Sequence, residues 1–220
     1  MIFVCAMTMA QTNAYPLLPM PQNYKVTDKS FAMGKVKLST PVLESEWEAF
    51  IVNAGGELAD KAAAEIKVEL LPVIDGVKLN PDEAYRLSVS GKLIKIEAVT
   101  ERGVYWALQT LRQLEKKKGK KSLFAGCEIV DWPAFRIRGF MQDVGRSYIS
   151  VEELKREIEI LSRFKINVFH WHLTENQAWR LESKIFPMLN DSINTVRMPG
   201  KYYTFCLLYT SDAADEGLGV

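Results

Sequence analysis

Histidine and cysteine are scarce in this chain, with two and three residues among 220. Cys5, Cys127 and Cys206 are scattered without metal-ligand or redox spacing, and Cys5 would leave with an export signal. Neither a thiolate metal site nor a structural disulfide is therefore expected. A catalytic metal site takes at least three protein ligands, which two histidines cannot supply by themselves. Net charge is nearly absent as well: at +1 it gives no reason to expect nucleic acid or an anionic membrane as partner. No apolar run reaches the ~20 residues of a membrane-spanning helix. What is present is the composition of a globular protein, 48% hydrophobic and 25% charged, with length for one large or two small domains.

Met1 to Ala14 is apolar and rich in small residues, with Thr8-Met9-Ala10 before a cut at Gln11. It is read as an export signal, which places the protein in a secreted or periplasmic setting, although no basic segment precedes it. The alternative is a frayed hydrophobic N-terminus. Pro16, Pro19 and Pro21 then force extended backbone. Over residues 15–130 the pattern is that of a small α+β domain. Ser45 is expected to cap a helix carrying Trp47, Phe50 and Ile51, ended by Gly55-Gly56. Ile66, Val68 and Leu70 alternate with charged residues, as in a half-exposed strand. Tyr85, Leu87 and Val89 alternate again, and Gly91-Lys92 turns into Leu93 to Ala98, predicting a hairpin. Thr100 opens a helix with Val104, Leu108, Leu111 and Leu114 on one stripe. The lysines from Lys116 to Lys121 follow its end, where a solvated linker fits better than a polyanion site.

Phe135 to Leu189 carries the chemistry. An apolar run from Ile137 to Val144 contains Arg138, Gly139, Gln142 and Asp143, and Gly145-Arg146-Ser147 makes a polar turn. Ser150 and Glu153 form a capping-box signal for a helix with Val151, Leu154, Ile158, Leu161 and Phe164 on one face. A second apolar run, Ile166 to Leu173, ends in Thr174-Glu175-Asn176-Gln177. Strand, helix and strand with short connections predict a βαβ unit whose strands are buried on both faces. Arg146 and Glu175 would then share the rim outside the carboxyl ends of two parallel strands, where α/β proteins place ligands. The alternative is that both merely solvate loops. Trp171 and Trp179 nearby suit a sugar ring, which stacks its apolar face on indole and offers its hydroxyls to charged groups.

This stretch resembles the first two strands of the catalytic barrel of family-20 glycoside hydrolases, the β-N-acetylhexosaminidases. The Arg138-Gly139 pair, Asp143 followed by Arg146, the N-V-F-H-W-H-L run from Asn167 and the Q-A-W-R run from Gln177 carry the resemblance. EAYRLSV and the GVYWALQTLRQL helix likewise resemble the small domain that precedes the barrel in many members. The implied fold is an α+β N-terminal domain over 15–130, followed by the start of a (β/α)8 TIM barrel over 131–204. Such a barrel takes about 250 residues, so only about two of its strands are expected here. Phe205 to Val220 has no amphipathic period and is read as a non-native tail.

The resemblance implies hydrolysis of terminal β-linked N-acetylhexosamine from a glycan by substrate-assisted catalysis, with no cofactor and no metal. The sugar's acetamido oxygen attacks the anomeric carbon, while an Asp orients it and the adjacent Glu protonates the leaving oxygen. In the family that Asp-Glu pair ends the fourth barrel strand. Asp82-Glu83 lies in the small domain and Asp215-Glu216 in the tail, so neither pair is assigned to catalysis. Arg146 matches the arginine that binds the sugar's 3- and 4-hydroxyls, and its fork suits two adjacent hydroxyls as Lys would not. Glu175 stands where the family has an Asp that supports a catalytic-site histidine, and Asn176 replaces a common second Asp. Asp143 and His172 are expected to brace the barrel floor. Two rival readings remain. One is a metal site built on His170 and His172, which alternate on one strand face; the other is a non-catalytic carbohydrate-binding domain using Trp47, Tyr85, Tyr105 or Trp106 as a platform.

Overall fold

Alternation in the first half of the chain becomes a sheet with one apolar and one charged face. The structure, a computed structural model, describes residues 16–195 and 197–206. The expected export signal at 1–14, and residues 207–220 of the tail with Asp215-Glu216, lie outside these. The chain divides into two units, Met1–Arg136 with Arg163–Lys165, and Ile137–Ser162 with Ile166–Val220.

The first unit runs β1 (Asn23–Val26), β2 (Phe31–Ala32), β3 (Lys35–Ser39), α1 (Glu44–Asn53), β4 (Glu57–Leu58), β5 (Ala64–Leu70), β6 (Tyr85–Ser90) and β7 (Leu93–Ala98). It continues through α2 (Glu101–Gln113), β8 (Glu115–Lys118), β9 (Lys121–Phe124) and β10 (Cys127–Asp131). Seven strands form one mixed sheet in the order β1-β10-β6-β7-β5-β3-β4. The expected hairpin is β6–β7, with Leu87 opposite Ile96 and Val89 opposite Ile94. These residues, with Ile66 and Val68, share a core with Trp47, Phe50 and Ile51 of α1 and with Val104, Leu108 and Leu111 of α2. Intervening positions carry charge: Lys95 Nζ lies 3.0 Å from Glu69 and 2.7 Å from Glu97, and Lys67 lies 2.6 Å from Glu69. Two-residue periodicity thus sorts apolar side chains to the helix-covered side and ions to the other.

Caps and turns show where local signals hold. Thr100 Oγ1 accepts from Arg102 N–H at 3.2 Å, so the expected cap forms. Ser45 does not cap α1. The helix begins after Leu43, held at φ 56°, and Ser45 lies inside the first turn, donating to Glu46 at 2.9 Å. The preceding loop is closed instead by Thr40, whose hydroxyl donates to Val42 O at 2.6 Å. The lysine-rich segment is not a linker either: β8 and β9 pair antiparallel around Gly119 at φ 64°, beside β2. Alternating burial of Ser122 and Phe124 orders the hairpin, while its lysines stay solvated. Asp82-Glu83 sits in a single 3-10 turn, Pro81–Glu83, where buried Glu83 accepts from Trp106 Nε1–H at 2.6 Å.

One buried ion pair stands apart. Lys165, at φ 61°, is 6% exposed and donates to Asp131 Oδ2 at 2.7 Å and to the Tyr85 hydroxyl at 2.8 Å. The same hydroxyl lies 2.6 Å from Thr110 Oγ1, and Asp131 Oδ1 accepts from Gln22 N–H at 3.0 Å. Burial, followed by the Asp131 charge, pushes the Tyr85 phenol well above its ordinary range, so it stays a neutral donor.

The second unit begins with β11 (Gly139–Asp143), continues through α3 (Val151–Arg163) to β12 (Val168–His172), and ends in the hairpin β13 (Thr174–Glu175) and β14 (Ala178–Trp179). β11 and β12 pair parallel, giving the expected βαβ unit. The capping box forms: Ser150 N–H and Oγ donate to Glu153 Oε2 at 3.1 and 2.9 Å, and Glu153 N–H donates to Ser150 Oγ at 3.2 Å. Burial of the strands on both faces does not hold. Phe140, Met141, Val168 and His170 are exposed, as are Ile158 and Ile160 of α3. The core is small, Val144, Leu154 and Tyr203 with Phe169, Trp171 and Leu173 against them. One helix covers one face of two strands, which leaves the Met141–His170 face bare among the described residues.

A buried pair contributes little as a pair, but removing one partner strands the other. Lys165→Met should therefore cost about 3–5 kcal/mol in urea unfolding. Adding Asp131→Leu should recover part of that loss, because the orphaned charge goes with it.

Candidate functional site

Parallel pairing sets the site. Asp143 and His172 are the last residues of β11 and β12 and stand opposite each other in register. The turn after β11 is pinned by Val144 and Gly145, whose N–H groups both donate to His172 O at 3.1 and 3.3 Å. Gly145 has a steric reason to be glycine: a Cβ there would lie 2.7 Å from Glu175 Cβ and 3.2 Å from Asp143 Oδ1. Its absence lets the β13 hairpin close against the turn.

Four side chains converge at this rim. Arg146 Nε lies 3.2 Å from Asp143 Oδ2, and Arg146 Nη2 lies 3.8 Å from Glu175 Oε2. His172 Nε2 lies 3.6 Å from that same Glu175 oxygen. Arg146 N–H donates to Asp143 Oδ1 at 3.0 Å, and Asn176 N–H donates to Glu175 Oε1 at 2.9 Å. The Arg146 side chain is 60% exposed and those of Asp143 and Glu175 about a quarter, so the guanidinium faces solvent with carboxylates behind it. Ion pairs this exposed contribute little stability; their effect is to aim the fork. The Asn176 N–H first, then Arg146 and His172, hold the Glu175 carboxyl below its ordinary range against partial burial and the Asp143 charge.

Asp143 and His172 therefore lie at the rim itself, in contact with Arg146 and Glu175, and not at a barrel floor. His170 stays outside the cluster. Its ring centroid is 6.0 Å from that of His172, whereas the donor atoms of Asp143, His172 and Glu175 lie within 4.8 Å of one another. Between those carboxylates stands Arg146, which supplies the positive charge a metal would bring, so the donor set does not suit a cation. The two tryptophans separate. Trp171 points to the helix-covered side and packs edge-on against Tyr203 at 4.6 Å, so it offers no sugar platform, whereas Trp179 is 37% exposed. In the first unit Trp47, Tyr85 and Trp106 are buried and Tyr105 half-buried, which removes the platform a carbohydrate-binding domain would need.

One residue carries more of this region than its sequence context shows. Arg180 is fully buried and bonds only to carbonyls: Nε donates to Val144 O at 3.0 Å, Nη1 to Lys201 O at 2.8 Å and Met198 O at 3.2 Å, and Nη2 to Arg197 O. Burial depresses its pKa. Its main chain is also engaged, donating to Leu173 O at 2.9 Å and accepting from Tyr203 N–H at 2.7 Å. Tyr203 donates from its hydroxyl to Ile149 O at 2.6 Å and stacks on Tyr148; burial pushes its phenol up to about 12. Phe205 N–H donates to Glu182 at 2.7 Å.

Comparison with known proteins assigns both units to one family. Residues 14–132 match the model of glycosyl hydrolase family 20, domain 2, and residues 135–215 match that of the family's catalytic domain. The second match runs past Thr204 into the tail. The β-hexosaminidase of Porphyromonas gingivalis is 32% identical over 212 residues, 89% of this chain and 27% of that protein. That of Vibrio furnissii is 34% identical over 182 residues, 80% of this chain and 29% of its own. The GH20 exo-β-N-acetylglucosaminidase from Vibrio harveyi, solved in complex with N-acetylglucosamine, superposes with a TM-score of 0.77 at 31% identity, covering 95% of this chain and 35% of that one. The chain thus spans about a third or less of these proteins' own length.

Because the folded Glu175 pKa is depressed, its contribution to stability is present above the ordinary glutamate value of about 4.3. It is lost as pH falls through the folded value. Glu175→Gln should flatten this part of the acid limb of unfolding, read as urea midpoints at several pH values for parent and variant.

Proposed function

The chain belongs to glycosyl hydrolase family 20, and we propose that the protein containing it is a β-N-acetylhexosaminidase that releases terminal β-linked N-acetylglucosamine or N-acetylgalactosamine from glycans or chitooligosaccharides. The observation that carries this reading is the Arg146 fork, braced by Asp143 and Glu175 and open to solvent at the ends of two parallel strands. A planar fork with a fixed aim can donate to two neighbouring sugar hydroxyls at once. The β-hexosaminidase relatives and the N-acetylglucosamine complex of the Vibrio harveyi enzyme support the same sugar class.

In this reading β11, α3 and β12 open an eight-stranded barrel, and Glu175, Asp143 and His172 keep the arginine and its surroundings in place. Chemistry comes from the substrate acetamide together with an Asp-Glu pair on a later strand. Within these 220 residues Asp82-Glu83 is engaged in the small unit's packing. The chain by itself is accordingly proposed to be inactive. A secreted or periplasmic setting is part of the proposal and rests on the composition of Met1 to Ala14 alone.

In a chain carrying the remaining barrel strands, Arg146→Ala should lower kcat/KM for an aryl β-N-acetylglucosaminide by at least about 100-fold, since hydrogen bonds to a charged group contribute about 1.5–3 kcal/mol each. Arg146→Lys should restore little of it. An Arg146→Ala enzyme with parental kcat/KM would remove the support for this site.

A further inference from the structure

We propose that Arg180 is a positioning residue of this rim, its buried guanidinium joining the turn that bears Arg146, the hairpin that bears Glu175 and segment 197–203 into one piece. As a statement about the reaction it rests on the function proposed above; as a statement about geometry it stands on contacts in the second unit alone. Val144, whose carbonyl accepts from Arg180 Nε, lies two residues before Arg146. Arg180 itself directly follows β14, the strand that pairs with Thr174-Glu175. Its other three bonds go to the carbonyls of Arg197, Met198 and Lys201.

Among the described residues no carboxylate pairs with this cation. A buried guanidinium without a counter-ion is tolerated when its nitrogens find oxygens, and here each of the three donates to main-chain carbonyls, of Val144 in one turn and of Arg197, Met198 and Lys201 in another. The main chain of Arg180 already ties Leu173 and Tyr203; the side chain adds the bonds to Val144 and to the 197–201 carbonyls, beside the small apolar cluster around Tyr203. Met198 holds φ 57° and Gly200 φ 71°, a backbone shape that turns the 197–201 carbonyls toward one point. Lysine could not reproduce the arrangement: one ammonium radiates three donors from a single atom, while the fork presents its N–H groups in a plane. The charged and titratable groups facing Glu175 are Asp143, Arg146 and His172, together with the Asn176 N–H. Arg146 and Asn176 are carried by the turn and hairpin that Arg180 ties, and Asp143 and His172 by the ends of the strands that lead into them.

The test uses the 220-residue chain with Arg180→Lys and Arg180→Met, reading the Glu175 side-chain carboxyl titration by carbon NMR and hydrogen exchange at the amides of Arg146 and Asn176. Amides of Leu87 and Ile96 in the first unit serve as internal control. Both variants are expected to raise the Glu175 midpoint toward the ordinary glutamate range and to speed exchange at Arg146 and Asn176 at least tenfold, with the control amides unchanged. Parental titration and exchange in Arg180→Lys would overturn the proposal, since charge without the fork would then suffice. Should Arg180→Met lose all protection over residues 137–206, Arg180→Lys decides by the same readouts. Loss of all protection in Arg180→Lys too would overturn positioning in favour of a folding role. Neither readout involves hydrolysis, so failure here and failure of the proposed function are distinguishable.

Discussion

In-register parallel pairing of β11 with β12 is the constraint on which the rim depends. Setting Asp143 opposite His172 makes both strands end at one level, so the turn after the first and the hairpin after the second leave side by side. An antiparallel pair would send Arg146 and Glu175 to opposite edges. A slip of β12 by one residue would turn His172 to the helix-covered side, where Phe169 and Trp171 now pack. Because the pairing carries side chains from distant parts of the sequence to one edge, a short βαβ unit can present a braced guanidinium without a deep core beneath it.

The two units solve their packing problems differently. In the first, a seven-stranded sheet buries its apolar face under two helices and covers the other with interleaved Lys and Glu. In the second, two strands and one helix leave Met141, Val168, Ile158 and Ile160 exposed. Polar devices stand in for a core there: the Ser150–Glu153 box, the Arg180 fork and the Tyr203 hydroxyl bond to Ile149. Hydrogen bonds of this kind hold backbone segments in register where apolar area is too small to do so.

Local periodicity made most elements legible. The β6–β7 hairpin, the Thr100 cap, the Ser150–Glu153 box and the βαβ order all follow from spacings within a dozen or so residues, and each formed. Position 45 misled because Ser is a good cap only where the preceding backbone lets a helix start after it, and here Thr40 closes that loop first. The lysine stretch misled because charge outweighed the weaker alternation of Ser122 and Phe124. At the site, the approach of Arg146 to Glu175 was legible from strand ends, but the contacts of Asp143 and His172 with them were not, since register is a long-range property. Arg180 and Lys165 escaped for another reason. Each is a buried cation whose partners are remote, main-chain carbonyls in one case and Asp131 with Tyr85 in the other, and no spacing in the sequence announces such partners.

The rim is proposed to belong to an enzyme whose substrate supplies its own nucleophile through a 2-acetamido group. The most direct test is hydrolysis of a matched pair, an aryl β-N-acetylglucosaminide and the corresponding aryl β-glucoside, by the protein carrying its remaining barrel strands. Turnover of the N-acetyl substrate and none measurable of the glucoside is expected. Equal turnover of both, or turnover of the glucoside alone, would contradict it.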